Sequence, residues 1–197
     1  MRRIFAAIAI LFALTACAAE STWAPDEAVA RAHYVHNGPP MITLFTVVNN
    51  NSGNGGHAAL MINGAERILF DPAGSWHHPK LPERNDVFYG ITDGAVDFYI
   101  DYHARLSWRV VRHDIVVSPQ VAAMAAKIVK EYGAVPKANC TAAVTAVLRQ
   151  LPGFESIVQT MFPVPAMESF AKLPGVKEQV FYDDDPDENG YILRPNI

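Results

Sequence analysis

Apolar positions between residues 41 and 71 come in unbroken runs rather than at helical spacing. Met41 to Val48 reads MITLFTVV, His57 to Ile62 reads HAALMI, and Glu66 to Asp71 reads ERILFD. The first is continuous and rich in β-branched residues, which suits a buried strand. The second and third flank Asn63-Gly64-Ala65, a hairpin signal. Residues 72–86 form a loop punctuated by proline, and 95–104 (AVDFYIDYHA) fit a helix or a strand before a further strand over 107–117. At Ser118 the period changes. Ser118-Pro119 marks the N-cap and first turn of a helix over Gln120 to Tyr132, which Gly133 stops. Asn139 caps a second helix, CTAAVTAVLRQL, which Pro152-Gly153 ends. A short helix over 165–173, a last strand over 177–183 and an acidic turn over 183–190 follow. With no internal repeat or long linker, the expected fold class is α+β: a small, mostly antiparallel sheet packed with helices.

The N-terminal pattern differs. Residues 1–16 carry Arg2 and Arg3, then about a dozen apolar residues, then small ones, the layout of a secretory signal peptide. The run is shorter than the ~20 residues of a spanning helix. Leu14-Thr15-Ala16-Cys17 resembles the lipobox of bacterial lipoproteins, in which Cys17 would be acylated as the first mature residue. Ala18 and Ala19 then resemble an outer-membrane address, with the protein facing the periplasm and its lipid in the membrane. Residues 17–38 are expected to be a lipidated N-terminus, a tether and a short helix over PDEAVARAHYV; residues 39–197 are expected to form a single domain. Without residues 1–16 the formal charge moves from -4 to -6, and no basic stripe remains for nucleic acid.

Cysteine usage then becomes informative. If lipid consumes Cys17, Cys140 is the one thiol left, in an oxidising compartment and with no partner in the chain. It is either a small buried hydrophobe or a nucleophile. Its place in the first turn of a helix, after Asn139, favours a thiolate. Seven histidines could serve it as base. His33 and His36 fall in the N-terminal helix and its exit, His77 and His78 in the proline-rich loop, and His103 and His113 near element ends, whereas His57 begins a strand that fixes its direction. A three-residue hairpin loop would pair Ile62 with Glu66 and set His57 opposite Asp71, on one face of the sheet. Asp71 would then orient the imidazole and stabilise its charged form. A one-residue slip would separate the pair.

GGHAALMI, then ILFDPAG, and much later ANCTAAV, resemble the circularly permuted members of the NlpC-like, papain-type cysteine hydrolase superfamily, a group that also resembles lecithin retinol acyltransferases. The likeness covers residues 45–150 at most. It implies a histidine strand before a cysteine helix, with His57 as base, Cys140 as nucleophile, Asp71 loosely at the third position, and no cofactor. Cys140 would attack an amide or ester carbonyl to give a thioester, with His57 carrying the proton to the leaving group. The expected function is an envelope-anchored cysteine hydrolase that cleaves an amide bond, with peptidoglycan stem peptides as a substrate suggested by association. Acyl transfer or thioester hydrolysis on lipid acyl groups, a non-catalytic binding module on the same fold, and a metal hydrolase built from His57, Asp71, His77 and His78 stand as alternatives. Trp76 and Trp108 are placed either in a cleft or in the core.

Overall fold

The computed structural model describes residues 19, 21–190, 192 and 193; residues 1–16, expected to be a signal peptide, and Cys17 lie outside the described residues. No described helix is long and apolar enough to cross a membrane. Strands β1 (Met41–Asn49), β2 (Gly55–Asn63), β3 (Arg67–Phe70), β4 (Glu83–Arg84), β5 (Val87–Tyr89), β6 (Trp108–Val116) and β7 (Lys177–Phe181) form one sheet in the order β4-β5-β3-β2-β1-β6-β7. Every neighbouring pair is antiparallel. With helices α1 (Asp26–Arg31), α2 (Asp93–His103), α3 (Pro119–Tyr132), α4 (Cys140–Leu148) and α5 (Pro163–Ala171), this is a small α+β fold.

The unbroken apolar runs are explained by two-sided burial. Ile42, Leu44, Leu60, Ile62, Ile68 and Phe70 face α3, α4 and α5 in one core. Their alternates Phe45, Ala59, Met61 and Leu69 face α2 and a cluster of aromatic rings in a second core. Period-2 alternation therefore carries apolar residues to both faces, and the strands read as continuous.

Local signals account for most ends. The Ser118 side chain accepts from Val121 N at 3.2 Å, and Gly133, with φ 86°, stops α3 in a conformation glycine adopts without a Cβ penalty. The ambiguous segment 95–104 is helical: Thr92 caps α2 through the Ala95 N–H at 3.2 Å. Two expectations are corrected. Asn139 occupies the N-cap of α4 but its side chain caps nothing; the amide instead donates back to Lys137 O at 3.0 Å. Its φ of -108° and ψ of 13° depart from the extended geometry that brings a cap oxygen over the first turn. The hairpin register is also displaced by two. Ile62 pairs with Ile68, Asn63 with Arg67, and the turn is Gly64-Ala65-Glu66. Asn63 stays in the strand because its buried amide is held by Pro39 O at 2.7 Å, while Glu66 turns outward to Lys130 and His33.

From Ser21 onward, the segment read as tether and short helix is docked on the sheet. Ala24 N donates to Glu83 O and Arg67 N to Tyr34 O, at 2.9 and 2.8 Å, while Val29 and Ala32 pack on the first core.

Candidate active site

The site lies where β2 outruns its neighbour. The β2–β3 ladder ends at Leu60 with Phe70, so β2 from Ala59 back to Gly55 has lost its partner on that side. On the other side the β1 register shifts between Val47 and Val48, which pair with His57 and Gly55 and leave Gly56 as a bulge. Bulges re-aim the side chains beside them. The glycines before His57 are tight fits: a Cβ would sit 2.5 Å from the Pro163 ring at Gly55 and 2.7 Å from the Trp108 ring at Gly56.

A two-residue displacement of register keeps every side chain on its face. Asp71 therefore still shares a face with His57, one pleat along rather than directly opposite. His57 Nε2 lies 2.6 Å from Asp71 Oδ1, and the carboxylate is fully buried. Tyr99 Oη, from α2, donates to the same oxygen at 2.8 Å. Gly74 closes over the other oxygen, since a Cβ there would stand 2.1 Å from Oδ2. With Nε2 engaged, Nδ1 is the nitrogen left for Cys140, which comes from the opposite face of the sheet at the start of α4 and retains 8 % exposure.

These contacts set the charges. Burial opposes a charged His57, but the Asp71 carboxylate, through its charge and hydrogen bond, and Cys140 together outweigh it and raise the imidazole to about 10. Burial likewise pushes the Cys140 thiol up; hydrogen bonding to His57 and its charge, with help from Thr141 and the Ala58 N–H, brings it down to about 7. Asp71, despite burial, is held below its usual range by His57, His103 and Tyr99. Above about pH 7 the preferred state is a thiolate–imidazolium pair backed by a buried carboxylate, a set of groups with the chemistry to act as nucleophile, proton carrier and orienting group.

Residues that the sequence reading passed over complete the surroundings. His103 stacks on His57 with ring centroids 5.6 Å apart and planes 8° from parallel. Burial lowers it to about 4, so it is neutral beside a charged neighbour. Its Tyr99–His103 spacing of four residues was the available signal, because on a helix that spacing puts both on one face. A cleft of about 500 Å³ opens in front of His57 and His103, with Trp108, Lys137, Asp187 and Asn189 on its walls. Asp187 and Asn189 come from the acidic C-terminal segment, tied down by Ser107 N to Asp187 Oδ1 at 2.9 Å and Asn189 Nδ2 to Tyr102 O at 2.7 Å.

The remaining candidates disperse. Trp108 lines the cleft, while Trp76 is 2 % exposed and packed edge-on against Phe88 and Tyr99, in the core. His77 is exposed and His78 stacks edge-on against Phe98. His57, Asp71, His77 and His78 do not converge on one point: among the described residues the one group with metal-ligand spacing is Asp101, Asp183 and Asp185, on the far side of Arg105. No protein-family model matches the chain, and neither does any curated protein or solved structure.

Proposed function

We propose that this protein is a cysteine hydrolase that cleaves an amide bond through a Cys140 thioester. The observation that carries this reading is a chain of two contacts: the imidazole of His57 is locked to the Asp71 carboxylate at 2.6 Å and hydrogen-bonds the Cys140 thiol. In acylation the Cys140 thiolate attacks the carbonyl carbon, and the C–N bond breaks as His57 gives its Nδ1 proton to the leaving nitrogen. Neutral His57 then takes a proton from water, which attacks the thioester and releases the acid and the thiol. The oxyanion is met by N–H groups in the first turn of α4, which no Asn139 side chain occupies. The charged and hydrogen-bonding side chains of Lys137, Asp187 and Asn189 on the cleft wall suit a peptide. Together with the lipobox-like sequence at Cys17, they support an envelope lipoprotein acting on peptidoglycan stem peptides.

The test is iodoacetamide alkylation of Cys140 against pH, in a soluble form beginning after Cys17 and in its His57→Ala variant. Removing His57 takes away what lowers the thiol and leaves burial, which raises it. The expected midpoint is near 7 for the parent and above ~8.5 for the variant. A thiol that is slow at every pH in both proteins would leave a non-catalytic binding module as the reading. Muropeptide turnover by the parent, absent from Cys140→Ala, is the matching activity result; turnover confined to acyl esters would move the assignment to acyl chemistry.

A further inference from the structure

The hydrolase reading uses Cys140, His57 and Asp71 but leaves His103 idle, although it shares a wall of the same cleft. A half-buried imidazole with no task beside a thiolate–imidazolium pair needs an explanation, since an aliphatic residue would pack there with less desolvation.

The hydrogen bonding of His103 fixes what it offers. Its Nδ1 lies 2.9 Å from the Tyr99 carbonyl oxygen, one turn back in α2. A carbonyl can only accept, so Nδ1 carries the hydrogen and Nε2 of the neutral ring carries a lone pair. Nδ1 faces its own helix, so Nε2, across the ring, points away from it. Among the described residues no group donates to Nε2, and it is not among the sealed, unsatisfied atoms of the interior. The cleft thus presents an acceptor without a donor, next to the imidazole that protonates the leaving group.

We infer that His103 receives the N–H of the scissile amide, so that the site selects amides over the matching esters. This inference rests on the hydrolase reading and narrows its substrate class. As the carbonyl carbon becomes tetrahedral, the leaving nitrogen keeps its own hydrogen while His57 supplies a second. His103 Nε2 accepts that first hydrogen without taking it, from the ring stacked beside His57 with centroids 5.6 Å apart. An ester has no hydrogen on its leaving oxygen. With it bound, two acceptors face each other and the interaction is lost. Burial contributes by keeping His103 unprotonated throughout the working range, where an ordinary histidine would begin to gain a proton and become a donor.

The experiment compares kcat/KM, which reports acylation, for N-acetyl-alanine p-nitroanilide and for the p-nitrophenyl ester of the same acyl group. The parent, His103→Phe and His103→Gln are measured in parallel. Phenylalanine preserves a flat ring against His57, and glutamine returns an acceptor near the position of Nε2. The expected result is about a tenfold loss on the anilide for His103→Phe, the size of one neutral hydrogen bond. The ester should change by less than about twofold, and His103→Gln should recover part of the anilide rate. The alkylation profile of Cys140 should stay in place. Equal losses on both substrates, no loss on either, or a displaced alkylation profile would overturn the inference, the last because His103 would then be acting through His57. A parent that turns over neither substrate and has an ordinary thiol profile would instead remove the hydrolase reading, and this inference with it.

Discussion

The two faces of the sheet are packed by different chemistry. Under α3, α4 and α5 the core is mostly aliphatic: Ala122, Val129, Val144, Val147 and Leu148 meet Ile42, Leu44, Leu60 and Ile62. Under α2 it is aromatic and polar: Tyr99, Tyr102 and Trp76 pack with Phe45 and Phe88, and Arg105 and Asp71 are buried among them. The first face supplies only Cys140 to the site, at the end of a helix; the second supplies His57, Asp71, Tyr99 and His103. Aliphatic packing is tolerant and stabilises by area, whereas buried carboxylates and imidazoles must each be partnered. One face therefore holds the fold and the other tunes the charges.

That division can be broken by substitutions on each side. Asp71→Asn should have the largest effect. It removes the charge that raises His57 while burial remains, so the imidazole falls and the thiol rises. Amide turnover should drop about a thousandfold at pH 7, with the alkylation midpoint moving upward. A variant with a near-parental rate would place the charge tuning elsewhere. Next comes Leu148→Ala, in α4 but in the aliphatic core, which should cost about 3 kcal/mol in denaturant unfolding. The Cys140 alkylation midpoint should nonetheless stay put, and a shift of a full pH unit would show that the two faces are not separable.

The smallest effect is a pH slope. His103 is held neutral down to about 4, so the unfolded chain takes up a proton there first as pH falls below ~6.5. Its contribution to stability is present above ~6.5 and is lost as pH falls toward 4. His57 works in the other direction, contributing below ~6.5 and losing that contribution as pH rises through about 10. Urea unfolding at pH 7 and pH 5 should therefore show a smaller decline in His103→Phe than in the parent, by about 1 kcal/mol. Parallel declines would remove His103 from the acid limb.

Legibility followed the same division. Ser118-Pro119, Gly133 and the apolar runs are local signals, and β1, β2 and α3 lie where they point. The pairing of His57 with Asp71 was legible for a less secure reason. The turn begins one residue later than Asn63-Gly64-Ala65 suggests, and this moves the register by two, an even number, which preserves faces. α2 was not legible as a helix, because Phe98, Ile100 and Tyr102 alternate as a strand would while Val96, Tyr99 and Ile100 fit a helix. A strand would also put Tyr99 and His103 on one face but far apart; the helix stacks them one turn above the other, with ring centroids 4.3 Å apart. Gly74 stood in the ILFDPAG stretch, but its role was not legible, since it is a contact with Asp71 Oδ2 that exists only once the loop has closed.

Cys140 and His57 reach one another from opposite faces of the sheet and from distant parts of the chain. A newly made or unfolded chain therefore carries an ordinary thiol, mostly protonated at neutral pH. The thiolate forms only after both layers have docked, so the reactive group is withheld during folding, when stray mixed disulfides would otherwise form fastest. The rate at which Cys140 becomes alkylatable at pH 6 is then a clock for the last step of folding, read at a single atom.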